Sequence, residues 1–293
     1  MSLSDKLSHT QTLMNCIHWF QQTISKPVAK SHHGVAIDYL DIEEKRSLFI
    51  KELKSTAIHW VYSSEKFKEI FAKEMTERGN DALNVIGAIN EIVNMKFRKG
   101  HPKGQYGELL LFNFIQHFFN AVPLLRKMSI TTNPNLERNG ADAIHYKIED
   151  GKQVFILGES KCYASNYKFN AALSDAVDSI ITSMKNIQSE LEIYRYEDFI
   201  DPDLQKIADD LIKGRLDNPF FELVCLVVYE ENTSVDAPTA KEIKDKIEKC
   251  IVDRWEKTQD DLYKNVKEAY TLRLNYIVFP TWALDNLLEL FEK

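Results

Sequence analysis

The sequence predicts an α/β chain of the α+β type: a mixed sheet flanked by helices, with a mainly helical N-terminal region. Three observations predict it. After residue 104 the apolar runs follow the order helix, three strands, one or two helices, strand, helix, strand, helix. Residues 221–229, FELVCLVVY, form a near-continuous apolar run of the kind buried on both faces of a sheet. Residues 139–162 hold two apolar-rich segments joined by Glu149, Asp150 and Gly151, a strong hairpin signal. The expected division is 1–98, a helical region suited to binding a partner, and 99–293, the sheet-bearing domain.

Taken in order, residues 1–25 read as partly helical, with Leu13, Ile17 and Phe20 spaced four and three apart. Lys26-Pro27 ends that stretch. His32 and His33 precede a short strand over 35–40 and read as loop or surface histidines, because no third ligand lies near them. Residues 46–75 are helical through Phe49, Leu53, Ala57, Trp60 and Val61, with a break at Ser63-Ser64. A further helix covers 84–97. Arg98 to Gly104 is a basic, Gly/Pro-punctuated linker.

The helix over 105–119, QYGELLLFNFIQHFF, has a stripe of Leu111, Phe112, Ile115 and Phe119. Glu108 shares that side, and a carboxylate on an apolar face must be paired, protonated or bound to a cation. A strand over 124–130 and a polar loop with Asn133-Pro134-Asn135 lead to the hairpin. A helix over 169–187 follows, then a helix within 200–214 and the strand 221–229. A long helix over 241–257 continues near 263–266, a strand spans 272–279, and a last helix over 281–291 starts near Pro280-Thr281.

Composition sets limits on the function. The 293 residues can bury a sizeable core, and 16 Phe with 12 Tyr argue against disorder. The formal net charge of -7 disfavours unaided binding to a nucleic-acid backbone, which draws on clustered Lys and Arg. Cys16, Cys162, Cys225 and Cys250 lack metal-ligand spacing and read as free thiols of a cytoplasmic protein. No secretory signal or membrane-spanning run is visible, so no membrane partner is expected. A Gly-rich phosphate loop of the P-loop type is missing from the sequence.

The chemistry concentrates in the hairpin. Residues two apart on a strand share a face, so Glu159 and Lys161 project together, with Asp142 opposite them on the neighbouring strand. Two carboxylates beside one lysine suit a hard divalent cation and a positioned cationic donor. Glu-x-Lys alone is a weak motif, since 43–45, 52–54 and 242–244 also carry it. Only Glu159-x-Lys161 ends an apolar strand, with an aspartate seventeen residues earlier and a glutamate on the preceding helix. Pairing Cys162 with His145 as a nucleophile fails for want of an orienting third group.

This arrangement resembles the PD-(D/E)xK nuclease superfamily, which includes restriction endonucleases, over residues 104–229 and more loosely to 280. That superfamily shares a core of helix, three-stranded meander, helix and further strand. The segments GQYGELLLF, RNGADAIHY and FILGESKCY, behind a helical front region, are similar to the HamA family, the nuclease component of the Hachiman anti-phage system. The resemblance implies a restriction-endonuclease-like sheet and hydrolysis of DNA phosphodiesters. It implies Asp142 and Glu159 as ligands of Mg2+ (Mn2+ being an alternative), with Lys161 as the catalytic cation. Glu108 takes the place of the glutamate from the first core helix, which implies that it binds a second metal or holds a metal-bound water, and Ala141 stands where the superfamily's nominal proline would be. A helicase partner resembling HamB is implied as well, which would account for an acidic nuclease. Two other readings stay open on the residues: a regulatory subunit with a nuclease-like fold, and a nuclease acting on RNA.

Overall fold

The computed structural model describes residues 3–8, 10–97, 100, 102–126, 128, 140–164, 168–194, 200, 204–258 and 260–293. Arg98, Lys99 and His101 of the basic linker lie outside the described residues, as do the Asn133-Pro134-Asn135 loop and the end of the strand expected over 124–130.

The elements, in chain order, are α1 (Gln11–Met14), β1 (Ile17–Ile24), β2 (Lys30–Ile37), β3 (Tyr39–Leu40), β4 (Glu43–Glu44), α2 (Arg46–Ser55), α3 (Ala57–Val61), α4 (Ser64–Glu77) and α5 (Ala82–Met95). Then come α6 (Lys103–Phe119), β5 (Val122–Leu125), β6 (Ala143–Glu149), β7 (Lys152–Tyr163), α7 (Phe169–Tyr194) and α8 (Gln205–Ile212). The chain closes with β8 (Phe220–Glu230), α9 (Ala240–Glu256), α10 (Glu268–Thr271), β9 (Leu274–Thr281) and α11 (Leu284–Glu292). Among the described residues, no helix is long and apolar enough to cross a membrane.

Among the described residues, seven strands form one mixed sheet in the order β1-β2-β9-β8-β7-β6-β5. The β5-β6-β7 portion is an antiparallel meander, whereas β7, β8, β9 and β2 run parallel. Parallel neighbours on both sides explain the continuous apolar run of β8, whose residues Leu223 to Tyr229 are all buried. The two sheet faces carry separate cores. One packs Phe155, Leu157, Cys225 and Val227 against α7 and α9. The other packs Val154, Ile156, Val224 and Leu226 against α6, α2 and α11.

The hairpin forms as expected. Asp150 and Gly151 both have positive φ, 49° and 73°, the conformation a two-residue turn with right-handed twist requires. Its register pairs Ala143 with Gly158. Gly158 is where α6 comes closest to the sheet: a Cβ there would lie 2.8 Å from Ile115 Cδ1 and 2.9 Å from Leu111 Cδ2. Gly158→Ala is therefore expected to destabilise the fold by about 1–3 kcal/mol through overpacking, read as a lower denaturant midpoint with unchanged slope.

The start of the N-terminal region departs from expectation, while α2 to α5 keep the region mainly helical as predicted. Only α1 is helical within residues 11–25; β1 begins at Ile17 and pairs antiparallel with β2 along its whole length. The spacing of Leu13, Ile17 and Phe20 mimics a helix, but sheet pairing decides for a chain of β-branched and aromatic residues. Because β2 also pairs with β9, the N-terminal strands extend the same sheet. The two histidines are not surface residues. His32 lies in β2 between Trp255 and Tyr276, and His33 stacks on Phe118. Burial lowers the His32 pKa to about 3, so the ring is a neutral core group. The expected break at Ser63 is present, with Ser63 Oγ accepting the Lys66 N–H at 3.1 Å as the cap of α4. Thr281, expected to start the last helix, instead ends β9 and donates to the Tyr229 carbonyl.

Candidate active site

The end of β7 gathers the site. In β7, residues of even number from 158 to 162 face α6: Gly158 touches Leu111 and Ile115, and Gly107 of α6 abuts Ser160 and Cys162. The odd-numbered Glu159 and Lys161 therefore face α7. Asp142, one residue before β6, continues the register that sets Ala143 against Gly158, which places it across from Glu159. Its Oδ2 accepts the Ser160 N–H at 2.8 Å and the Ser160 hydroxyl at 2.9 Å. The carboxylate thus replaces a ladder acceptor just before β6 begins, which fixes its position.

Glu159 is buried, 4% exposed. Its Oε1 accepts a 2.8 Å charged hydrogen bond from Lys161 Nζ, and its Oε2 is buried with no hydrogen-bond partner among the described residues. Burial first, and the Asp142 charge second, push the Glu159 pKa up to about 7 against the opposing pull of Lys161. Lys161 Nζ also donates to Ser179 Oγ of α7 at 3.4 Å. Burial opposes the charge on Lys161, but Glu159, Asp142 and Asp175 outweigh it, and its pKa lies above the ordinary value. In the metal-free protein Lys161 is therefore held as a cation by its carboxylate neighbours.

The sequence expectation placed four residues in the site. Asp142, Glu159 and Lys161 come together. Glu108 is half-buried on α6, on the opposite face of the sheet from Glu159, and a Cβ on Gly104 would be 3.8 Å from its Oε1. Among the described residues, no group of three or more His, Cys, Asp or Glu side chains is gathered closely enough to hold a metal ion. The Asp142–Glu159 pair still fits one. A buried carboxylate oxygen with no partner among the described residues, beside a second carboxylate, has the donor chemistry a hard dication takes, and the ion's charge would offset the burial and the repulsion that raise Glu159. Cys162 points to the other face and burial pushes its thiol up to about 12, so it supplies no nucleophile.

A groove along α7 opens from Lys161 to Gly140, lined by Asp175, Asp178, Ser179 and Glu190 among others. Asp175 accepts the Tyr163 hydroxyl at its rim. Ser179 and Glu190 are contributors that sequence reasoning missed. Glu190 had a readable signal: it stands three residues after Ile187 and one before Leu191, a carboxylate on an apolar face, as Glu108 does. Ser179 had none, because only the packing of α7 on β7 brings it to Lys161.

Comparison with known proteins gives one family. The family model described as HamA matches residues 14–293. No curated protein matches the chain.

Proposed function

The chain belongs to the HamA family, of the Hachiman anti-phage defence system, and on that premise we propose that it is the metal-dependent nuclease of that system, hydrolysing DNA phosphodiester bonds at the end of β7. The observation that carries the reading is the meeting of Asp142, Glu159 and Lys161 at one strand end, with a buried carboxylate oxygen left over. The restriction-endonuclease-like order of helix, antiparallel meander, helix and parallel strand supports it.

Asp142 and Glu159 would hold Mg2+ (or Mn2+), and the bound ion would supply Lewis-acid polarisation of the scissile phosphate and a lower pKa for water. The chain's own groups do the rest. Ser160 holds the Asp142 carboxylate with two donors, so that it is oriented before substrate arrives. Lys161, kept protonated by its carboxylate neighbours, stabilises charge developing on the phosphate oxygens. Ser179 and Glu159 restrict the lysine's position, which limits reorganisation during the reaction.

The net charge of -7 supports delivery of DNA by a partner, and a helicase of the HamB type fits that role. The test is DNA degradation by the purified chain with its helicase partner and Mg2+, comparing wild type with the Asp142→Ala, Lys161→Ala double variant. Loss of cutting with fold and partner binding intact is the expected result. Degradation by the double variant at the wild-type rate would sink the catalytic assignment.

A further inference from the structure

We propose that Glu190 is the positioning residue for Asp142, holding the backbone that aims its carboxylate into the site. The proposal rests on the catalytic reading above and adds a residue to it. Asp142 does not lie within a strand; it follows Gly140 and Ala141, which lead into β6. That lead-in is fixed from the other side of the groove. Glu190 Oε2 accepts the Ala141 N–H at 3.2 Å, one residue before Asp142. The Glu190 carboxylate also fills the space beside Gly140, where a Cβ would overlap its Cδ and both oxygens. Gly140 has φ 90°, so two independent constraints exclude a side chain there.

Glu190 is 7% exposed, a costly place for a carboxylate unless it serves the fold or the site. Its location on α7 ties it to the site. The same helix presents Ser179 to Lys161, eleven residues earlier and ~16 Å along the axis at the rise of an α-helix. One rigid element therefore sets both the cation and the approach of Asp142. Moving the Ala141 peptide would displace the Asp142 carboxylate from Ser160 and Glu159, and a misplacement of about 1 Å is enough to cost about 10²-fold in rate.

The experiment compares Glu190→Gln, Glu190→Ala and Gly140→Ala in the full chain, each alone and combined with Asp142→Ala. Two readouts are taken: Mn2+ affinity of the isolated chain by electron paramagnetic resonance, and DNA cutting with the helicase partner. Glutamine keeps an oxygen for the Ala141 N–H and the volume beside Gly140, so it should stay within about threefold of wild type in both. Glu190→Ala should weaken Mn2+ binding by about 10–100-fold and lower kcat with KM unchanged. Gly140→Ala, which displaces the carboxylate without deleting it, should give the same loss. Over Asp142→Ala, neither substitution should reduce Mn2+ binding further.

Wild-type Mn2+ affinity and cutting in Glu190→Ala would overturn the positioning role. So would a glutamine variant as impaired as alanine, since that would mean the charge itself is used. The two readings fail separately. If Asp142→Ala loses both readouts while Glu190→Ala keeps them, positioning alone falls. If Asp142→Ala itself binds Mn2+ and cuts like wild type, the catalytic reading falls and takes this one with it.

Discussion

Glu159→Gln should abolish DNA cutting and, at the same time, make the metal-free protein more stable at pH 8. The two effects have one cause. Glu159 is a buried carboxylate beside Asp142, and its pKa is raised from 4.5 to about 7. A raised carboxyl pKa means that the folded state holds the proton more tightly than the unfolded chain. The resulting penalty is absent below about pH 4.5, grows between the two pKa values, and is fully present above about pH 7. A shift of this size corresponds to at most ~3 kcal/mol. Glutamine is neutral at every pH and can still accept from Lys161 Nζ, so the variant should gain about 1–3 kcal/mol at pH 8 and nothing near pH 4.5. Denaturant unfolding with a chelator present measures this directly. Adding Mg2+ should then stabilise wild type and leave the variant unchanged, because only an intact site gains binding free energy. The loss in cutting should be on the order of 10³-fold or more, several kcal/mol of transition-state stabilisation. A Glu159→Gln protein less stable than wild type at pH 8 without metal would contradict the strain assigned to this carboxylate.

Arg254→Ala should cost about 3–5 kcal/mol of stability by leaving a buried carboxylate without its cation. Glu231, just past the end of β8, has a fully buried side chain. Arg254 of α9 grips it with two bonds, Nε to Oε2 at 2.9 Å and Nη2 to Oε1 at 2.7 Å. The N–H groups of Asn232 and Thr233 donate to the same carboxylate at 2.8 Å. Burial would raise the Glu231 pKa, but Arg254 and the Thr233 donors hold it down at about 2. The sign is opposite to that of Glu159. The stabilisation is present above about pH 4.5 and is lost as pH falls towards 2, so the deficit of Arg254→Ala should shrink in acid. Arg254→Lys should recover only part of it, because one ammonium cannot reproduce the bidentate geometry. Thermal unfolding across pH 3–8 checks both points, and an alanine variant within 1 kcal/mol of wild type at pH 7 would show that the pair is replaceable. Cutting should follow stability and no more, since Glu231 lies beyond the end of β8, apart from the proposed site formed by Asp142 and the end of β7.

Local chemistry decided much of the fold. The turn at Asp150-Gly151, the continuous apolar run of β8 and the capping serine at Ser63 each act within a few residues, and each was readable. The strand over 17–24 was not. Its apolar spacing fits a helix, and only pairing with β2, itself docked on β9, selects the extended form. His32 and His33 misled for the same reason: a polar pair reads as surface until the aromatic residues that enclose it, from α9 and α6, are brought up.

The site divides along the same line. The sequence by itself determined that Glu159 and Lys161 share a face and that Asp142 opposes them, because strand alternation and a two-residue turn leave no other register. Tertiary structure alone decided the protonation and the aim of these groups. The depth at which α7 covers β7 raises Glu159, the two carboxylates keep Lys161 charged, and α7 brings Ser179 and Glu190 to the two sides of the groove. It also set Glu108 on the far face, since a helix stripe specifies that a residue is covered but not by which side of the sheet. Alternation and turns are backbone properties written in the chain, whereas desolvation and charge coupling exist only between segments that folding brings together.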